Sequence, residues 1–276
     1  MRLRSLLFVP ADRPDRYARA LESGADAICL DLEDAVAPDA KEDARRAALE
    51  ALAGPNDRAA VLSLRINEIG SAFGRLDVQA LCDAGRAPAA LLLPKVRAPD
   101  EVRQLRDLLA SRQLAPRIIP LIETADGLAR AMEIAGAADT VDALLFGGAD
   151  LSAELGCALA WEPLLYARSR IVHAAATAGI PAIDMPRLSI DDSDGLSQEC
   201  TRARALGFAG KAAIHPAQIA PIHAAFTPSA AEIEWAERVL RAADAGHGVV
   251  VLNGRMIDAA VVRAARRTIA LAQGSP

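Results

Sequence analysis

The sequence predicts an α/β fold, a closed (β/α)8 or TIM barrel with a C-terminal helical extension, and three observations predict it. Eight short runs rich in Leu, Ile, Val and Ala recur along the 276 residues, and near-continuous apolar runs suit parallel strands buried on both faces. Between them lie Ala-, Leu- and charge-rich stretches with helical spacing, several of which stop at Gly just before the next run, in ESGAD, TAGIP and ALGFAG. Polar residues collect at the carboxyl ends of the runs, where this architecture builds its sites.

The first run, SLLFVP (5 to 10), leads into the helical stretch DRYARALESG. AICLDLE (27 to 33) supplies Asp31 and Glu33, with Asp34 next; AAVLSLRIN (59 to 67) supplies Arg65 and Asn67; AALLLPKV (89 to 96) supplies Lys95. RIIPLIET (117 to 124), after the helical EVRQLRDLLASR, runs apolar residues straight into Glu123. ALLFGGADL (143 to 151) ends on Asp150, PAIDMP (181 to 186) carries Asp184, and KAAIHP (211 to 216) carries His215. Lys211 opens the eighth run at the stability end and reads as structural. Residues 1 to 216 complete the barrel, and 217 to 276 are surplus to it: two further helices joined by a Gly-rich turn and a short strand.

Composition narrows the function. The chain is 52% hydrophobic with net charge -5, and its 31 Lys and Arg are interspersed among 36 Asp and Glu, so no nucleic-acid footprint is expected. SLLFV is shorter than a secretory h-region, and no run approaches a membrane span, so neither export nor a membrane partner is expected. Cys29, Cys82, Cys157 and Cys200 lie far apart without a CxxC, which points to a reducing cytoplasm rather than to zinc or disulfides. Cys157 has no basic neighbour to activate it.

Seven strand ends rich in ionisable groups make a site, since unsatisfied charge at a barrel mouth is costly. Glu123 and Asp150 fall on adjacent strands, where two bare carboxylates would repel. A divalent cation removes that conflict, and an all-oxygen set with few protein ligands suits Mg2+; the alternative is pairing of one carboxylate with Lys95 and the other with Arg65. Arg65 offers a planar fork for a substrate carboxylate, or else a salt bridge to Glu33 or Asp34. Gly148, in the glycine pair before Asp150, lets backbone N–H groups approach a ligand. His215, followed by Pro216, is an acid or base or else a loop hydrogen-bonding residue. Lys95 as a Schiff base is the minor alternative to metal chemistry. Glu133, Glu154 and Glu162 read as solvated.

The motifs RSLLFVPADRPDRY, DAICLDLEDAVAPDAK, LRIN, LLPKV, PLIETADG, LLFGGADLSAELG, GKAAIHPAQI and NGRMIDAAVVRAA, in that order, span nearly the whole chain. The sequence resembles the citrate lyase beta-subunit family, within the HpcH/HpaI aldolase group that includes malyl-CoA and citramalyl-CoA lyases. It departs from the common pattern at Ala149, where many relatives have Glu, and in lacking a Pro soon after RMID. The resemblance implies Mg2+ on Glu123 and Asp150, and a keto acid or substrate carboxylate on Arg65 with Glu123, Lys95, Glu33 and Gly148 around it. An acyl-CoA thioester is expected over the mouth, against Pro10, His215 and Pro216. Asp258 of RMID is implied as the proton donor or acceptor, carried by a tail that caps a neighbouring subunit in a homotrimer or hexamer. The chemistry expected is retro-Claisen cleavage of a 3-hydroxyacyl thioester. A class II aldolase acting on free hydroxy-keto acids and a non-catalytic ligand-binding subunit are the competing readings.

Overall fold

The computed structural model describes residues 3–54, 60–245 and 250–273, and the chain divides into two compact units, Leu3–Ile222 and one that begins at His223. In the first, eight parallel strands close into a barrel in chain order, with the eighth pairing back onto the first. They are β1 (Ser5–Pro10), β2 (Ala27–Asp31), β3 (Val61–Arg65), β4 (Ala90–Leu93), β5 (Arg117–Ile122), β6 (Leu144–Phe146), β7 (Ala182–Asp184) and β8 (Gly210–Ala213). The helices of this unit are α1 (Pro14–Leu21), α2 (Lys41–Ala53), α3 (Ala72–Ala84), α4 (Pro99–Ala110), α5 (Ala125–Ala129), α6 (Ala131–Ala135), α7 (Gly148–Leu155), α8 (Leu165–Ala178), α9 (Ser193–Leu206) and α10 (Ile219–Phe226), which runs on into the second unit. The predicted barrel is the observed one.

The physical reasons are those the pattern suggested. β2 and β4 are buried at every position, as a sheet covered by helices requires. α4 begins with Pro99 at its first turn, where a missing N–H costs nothing, and buries Val102, Leu105 and Leu109 along one stripe. Register then sets the site: Pro10 pairs with Asp31, and Asp31 with Arg65, so three successive strands present these residues side by side.

The sixth run departs from its expected form. β6 stops at Phe146 and Gly148 already opens α7, so Asp150 lies in the first turn of a helix rather than on a strand. A carboxylate there is favoured by the positive end of the helix dipole.

In the second unit, α11 (Ala230–Ala245) and α12 (Ala259–Ala272) pack around Ala236, Val239, Ile257 and Ala265. The single short strand expected between them is an antiparallel pair, β9 (Val250–Leu252) and β10 (Arg255–Ile257). Asn253 and Gly254 turn it with φ of 52° and 74°, and Asn-Gly is the dipeptide that favours such a hairpin. The Gly-rich turn at 246 to 248 lies outside the described residues. Among the described residues no helix is long and apolar enough to cross a membrane.

Candidate active site

Asp31 is the first link of the site. Buried at the end of β2, it receives Arg65 Nε at 2.7 Å and Nη2 at 2.5 Å, and it also accepts the backbone N–H groups of Glu33 at 2.9 Å and Ala35 at 3.3 Å. The fork of Arg65 is therefore already filled, by a residue the sequence reading did not pair with it. Arg65 Nη1 reaches Glu33 Oε2 at 2.8 Å and Asp34 Oδ2 at 3.8 Å, and Phe8 lies 5.0 Å from the guanidinium carbon. The expected salt bridge to Glu33 exists, beside the stronger one to Asp31.

Lys41 is a residue the sequence reading did not flag. From the start of α2 its buried ammonium donates to the carbonyls of Leu32 at 2.7 Å and Glu33 at 2.6 Å, which pins the loop after β2 from below. Burial lowers its pKa, and the nearby carboxylates oppose that shift.

Lys95 stands after Pro94 with φ of 53°, a left-handed conformation that costs a non-glycine residue free energy. The turn aims its backbone N–H at Glu123 Oε1, 2.7 Å away, while its ammonium bonds Glu33 Oε1. The loop after β5 is clamped to this turn: Thr124 Oγ1 donates to Val96 O at 3.1 Å, and a Cβ on Gly127 would lie 2.2 Å from the same oxygen. Only glycine permits that approach.

Glu123 is 2% exposed, and its carboxyl is pushed up to about 8, first by burial and then by the charges of Glu33 and Asp150. Burial also raises Glu33, against the opposing field of Arg65. Among the described residues neither Glu123 nor Asp150 forms an ion pair with Lys95 or Arg65, so the metal-free pairing considered from sequence is not formed. The glycine pair before Asp150 has a packing reason: a Cβ on Gly147 would meet Glu123 Oε2 at 2.3 Å, and one on Gly148 would meet Met185 Sδ at 2.3 Å. Gly147 thus makes room for the carboxylate itself. Among the described residues no group of three or more His, Cys, Asp or Glu is arranged to hold a metal. A cation at Glu123 and Asp150 would complete its shell with water and substrate oxygens, as Mg2+ ordinarily does.

Pro10, His215 and Pro216 come together on a cavity of about 340 Å3, whose rim adds Arg16 and Arg19 of α1. These arginines were missed, though the signal was present as two cations three residues apart on one helix. His215 Nδ1 accepts the N–H of Ala217 at 3.2 Å, while Gln218 Oε1 accepts the N–H groups of Ile214 and His215. That is the loop role named as its alternative. Asp258 lies in the C-terminal unit, exposed, where Oδ1 accepts the N–H groups of Ala260 and Val261 at 2.9 Å and caps α12.

Two residues assigned to the mouth belong elsewhere. Asp184 turns away from the mouth, receiving Arg168 Nε of α8 at 3.0 Å and Lys211 Nζ of the neighbouring strand β8 at 2.7 Å. Asn67 donates through its amide to Asp77 of α3 at 2.7 Å. Side chains alternate between the two faces of the barrel wall along a strand, which places Asp184 on the outer face; Asn67 lies beyond the end of β3, where that alternation no longer sets its direction.

The likeness of this constellation to known proteins is family-wide. The profile described as HpcH/HpaI aldolase/citrate lyase matches residues 4–216, and one described as a C-C bond lyase of the TIM-barrel fold matches residues 160–274. The chain belongs to the HpcH/HpaI aldolase/citrate lyase family. Within it, mitochondrial citramalyl-CoA lyase of Homo sapiens is 32% identical over 98% of this chain and 85% of its own length. The L-malyl-CoA/beta-methylmalyl-CoA lyase of Cereibacter sphaeroides is 34% identical over 95% and 92%. The crystal structure of Mycobacterium tuberculosis CitE in complex with magnesium, acetoacetate and coenzyme A is 36% identical, covers 98% of both chains and has a TM-score of 0.83.

Proposed function

We propose that the protein is a Mg2+-dependent carbon–carbon lyase that cleaves, or in reverse forms, a 3-hydroxyacyl thioester such as malyl-, citramalyl- or citryl-CoA. The products are a keto acid and an acyl-CoA. One observation carries this reading: Glu123 is a buried carboxyl held at about 8 in the company of Asp150 and Glu33, a surplus of negative charge that a divalent cation relieves. Glu123 and Asp150 would hold the ion, which when bound supplies Lewis acidity to the oxygens of the substrate.

The protein's own side chains do the rest. Arg65 neutralises the keto-acid carboxylate. Lys95, through its backbone N–H, keeps one oxygen of Glu123 in place. When the substrate hydroxyl passes its proton to the Asp258 carboxylate, the C–C bond breaks, its electron pair moves onto the thioester as an enolate, and the enolate carbon takes that proton back. Asp258 is assigned that proton; its Oδ1 caps α12 and Oδ2 is left for transfer. The cavity holding Pro10, His215 and Pro216 would take the thioester carrier, with Arg16 and Arg19 toward its phosphates.

Incubating the protein with Mg2+ and a panel of malyl-, citramalyl- and citryl-thioesters and free hydroxy-keto acids, with products identified by mass spectrometry, tests the reading. Keto acid and acyl-CoA should appear from at least one thioester. Turnover of free acids alone would replace the thioester lyase with an aldolase.

The tail extends the proposal to a cytoplasmic homo-oligomer, a trimer or hexamer, in which Asp258 serves another copy's barrel. Support comes from the hairpin just before it, where the cross-strand pair Val251 and Met256 is 68% and 66% exposed, an apolar face suited to a partner. Mixing Asp258→Asn with Glu123→Gln protein should restore activity through sites that combine an intact mouth with an intact tail. No recovery despite subunit exchange seen by native mass spectrometry would confine Asp258 to its own chain.

A further inference from the structure

Arg65 carries five N–H donors in one plane, and its surroundings account for only part of that set. Asp31 holds the Nε–Nη2 side in two parallel bonds of 2.7 and 2.5 Å. Phe8 covers one face at 5.0 Å, and Glu33 Oε2 stands 2.8 Å from Nη1 as an ion pair without accepting a hydrogen bond from it. What remains is both hydrogens of Nη1 and one of Nη2, so the outer Nη1–Nη2 edge has no hydrogen-bond partner among the described residues. Asp31 is 1% exposed and fixed in turn by the N–H groups of Glu33 and Ala35. It thereby ties the guanidinium and the Glu33 loop to one carboxylate.

We propose that Asp31 is a positioning residue for substrate binding: by occupying the side edge of Arg65, it reserves the outer edge for the substrate carboxylate and keeps Glu33 from closing the site. The argument lies in what the guanidinium would do without it. Its side edge would be unpaired and buried, and the nearest carboxylate already touching it is Glu33. Rotation about the last side-chain torsion would let Glu33 accept two parallel bonds, the preferred geometry of such pairs. An Arg65–Glu33 fork would leave no paired edge for a ligand. Asp31 blocks that closure, and Lys41, holding the carbonyls of Leu32 and Glu33, keeps the loop from following the guanidinium.

The inference rests on the proposed binding of a keto acid at Arg65, so binding is measured apart from turnover. Pyruvate is titrated calorimetrically into the Mg2+-loaded full-length protein, wild type, Asp31→Asn, and Asp31→Asn with Glu33→Gln. Asp31→Asn should weaken pyruvate by roughly 10- to 100-fold, the range expected when a charged hydrogen-bonding group is mis-set, with Mg2+ affinity unchanged. Adding Glu33→Gln removes the competing carboxylate and should recover about tenfold of the loss. A merely structural role predicts no recovery, because the second substitution only removes another partner. Asp31→Glu, which keeps the charge but is too long to fork Arg65 and cap the loop together, carries the test should the Asn variant not fold; it too should weaken pyruvate. Wild-type binding by a folded Asp31 variant, or failure of Glu33→Gln to recover any of the loss, overturns the inference and leaves the proposed lyase standing. A wild type that binds no pyruvate overturns both. One that binds pyruvate yet cleaves no thioester sinks the lyase alone, and the comparison of variants still decides for Asp31.

Discussion

Two clusters of buried charge stand on this barrel and are built in opposite ways. On the flank between β7, β8 and the helices α8 and α9, Asp184 lies between Arg168 and Lys211, and Lys211 also meets Glu199 at 3.2 Å, which Arg187 shares with Asp192. Acid and base alternate and every carboxylate has a cation. At the mouth, Asp31, Glu33 and Asp34 pair with Arg65 and Lys95, Glu123 and Asp150 pair with neither, and Glu33 and Glu123 are pushed toward protonation. A chain that needs only to fold balances its buried charges, since an unpaired one is expensive. A chain that must bind something can leave the balance for the ligand to complete.

The largest expected effects separate the clusters cleanly. Glu123→Gln should cut kcat/KM by roughly 1,000-fold or more, about 4 kcal/mol of lost transition-state stabilisation, and abolish most of the Mg2+ signal in calorimetry while the fold survives. Asp184→Asn should do the reverse. It leaves Lys211, fully buried, short of its closest counter-charge and should cost about 3–5 kcal/mol of stability, with activity per folded molecule largely kept. If Asp184→Asn lost activity without losing stability, or Glu123→Gln melted like a core mutant, the division between the clusters would fall.

This contrast also shows how far the residues could be read in advance. All eight strands were legible, because a parallel sheet covered on both sides demands apolar runs and little else in this chain produces them. Glu123, Asp150, Arg65, Glu33 and Lys95 were legible as charges that a core would not choose. Which way a charge faces was not. Asp31 and Asp184 each close a strand, yet one meets Arg65 of the next strand at the mouth and the other meets Arg168 of α8 and Lys211 of β8 on the flank, and a period of two cannot say which face is inward. Lys41 was hidden because its partners are carbonyls, which carry no sequence signature. The hairpin after α11 was written plainly in Asn253-Gly254 and simply passed over.

Acidity gives the next test. Glu123 holds its proton up to about 8 in the folded protein, whereas an unfolded glutamate releases it near 4.3. Between those values the folded state binds more protons than the unfolded, so metal-free stability falls as pH rises through that window, by up to about 1.4 kcal/mol per pH unit. Melting curves at several pH values should show wild type losing more than Glu123→Gln does, and Mg2+ should restore more stability at pH 8 than at pH 6. Parallel curves for the two proteins would mean that Glu123 ionises freely and the mouth carries no surplus.

Arg65→Lys keeps the cation and gives up the fork. With Asp31 still beside it, an ammonium cannot serve Asp31, Glu33 and a substrate carboxylate in fixed directions, and kcat/KM should fall about 10- to 100-fold, on the order of 1.5–3 kcal/mol. Steady-state kinetics on the best thioester measures it. Full activity would reduce Arg65 to a counter-ion of Asp31, and the mouth would then resemble the flank more than it differs from it.

The smallest effect concerns strain, which the mouth stores and the flank does not. Lys95 has φ of 53°, whereas Arg168, Asp184, Glu199 and Lys211 all keep ordinary negative values. Replacing Lys95 by Gly or by Ala removes the ammonium and its bond to Glu33 in either case, while the backbone N–H to Glu123 remains in both. The two variants differ chiefly in whether a Cβ must sit in the left-handed region. Elsewhere Ala is the better choice, since Gly gives the unfolded chain more freedom. Here the order should invert, with Lys95→Gly more stable than Lys95→Ala by about 1 kcal/mol, the cost of that conformation for a residue with a Cβ. Denaturant melts of the pair resolve such a difference. If Ala proves the more stable, the turn at Lys95 relaxes at no cost, and the aim of its N–H at Glu123 is not bought with strain.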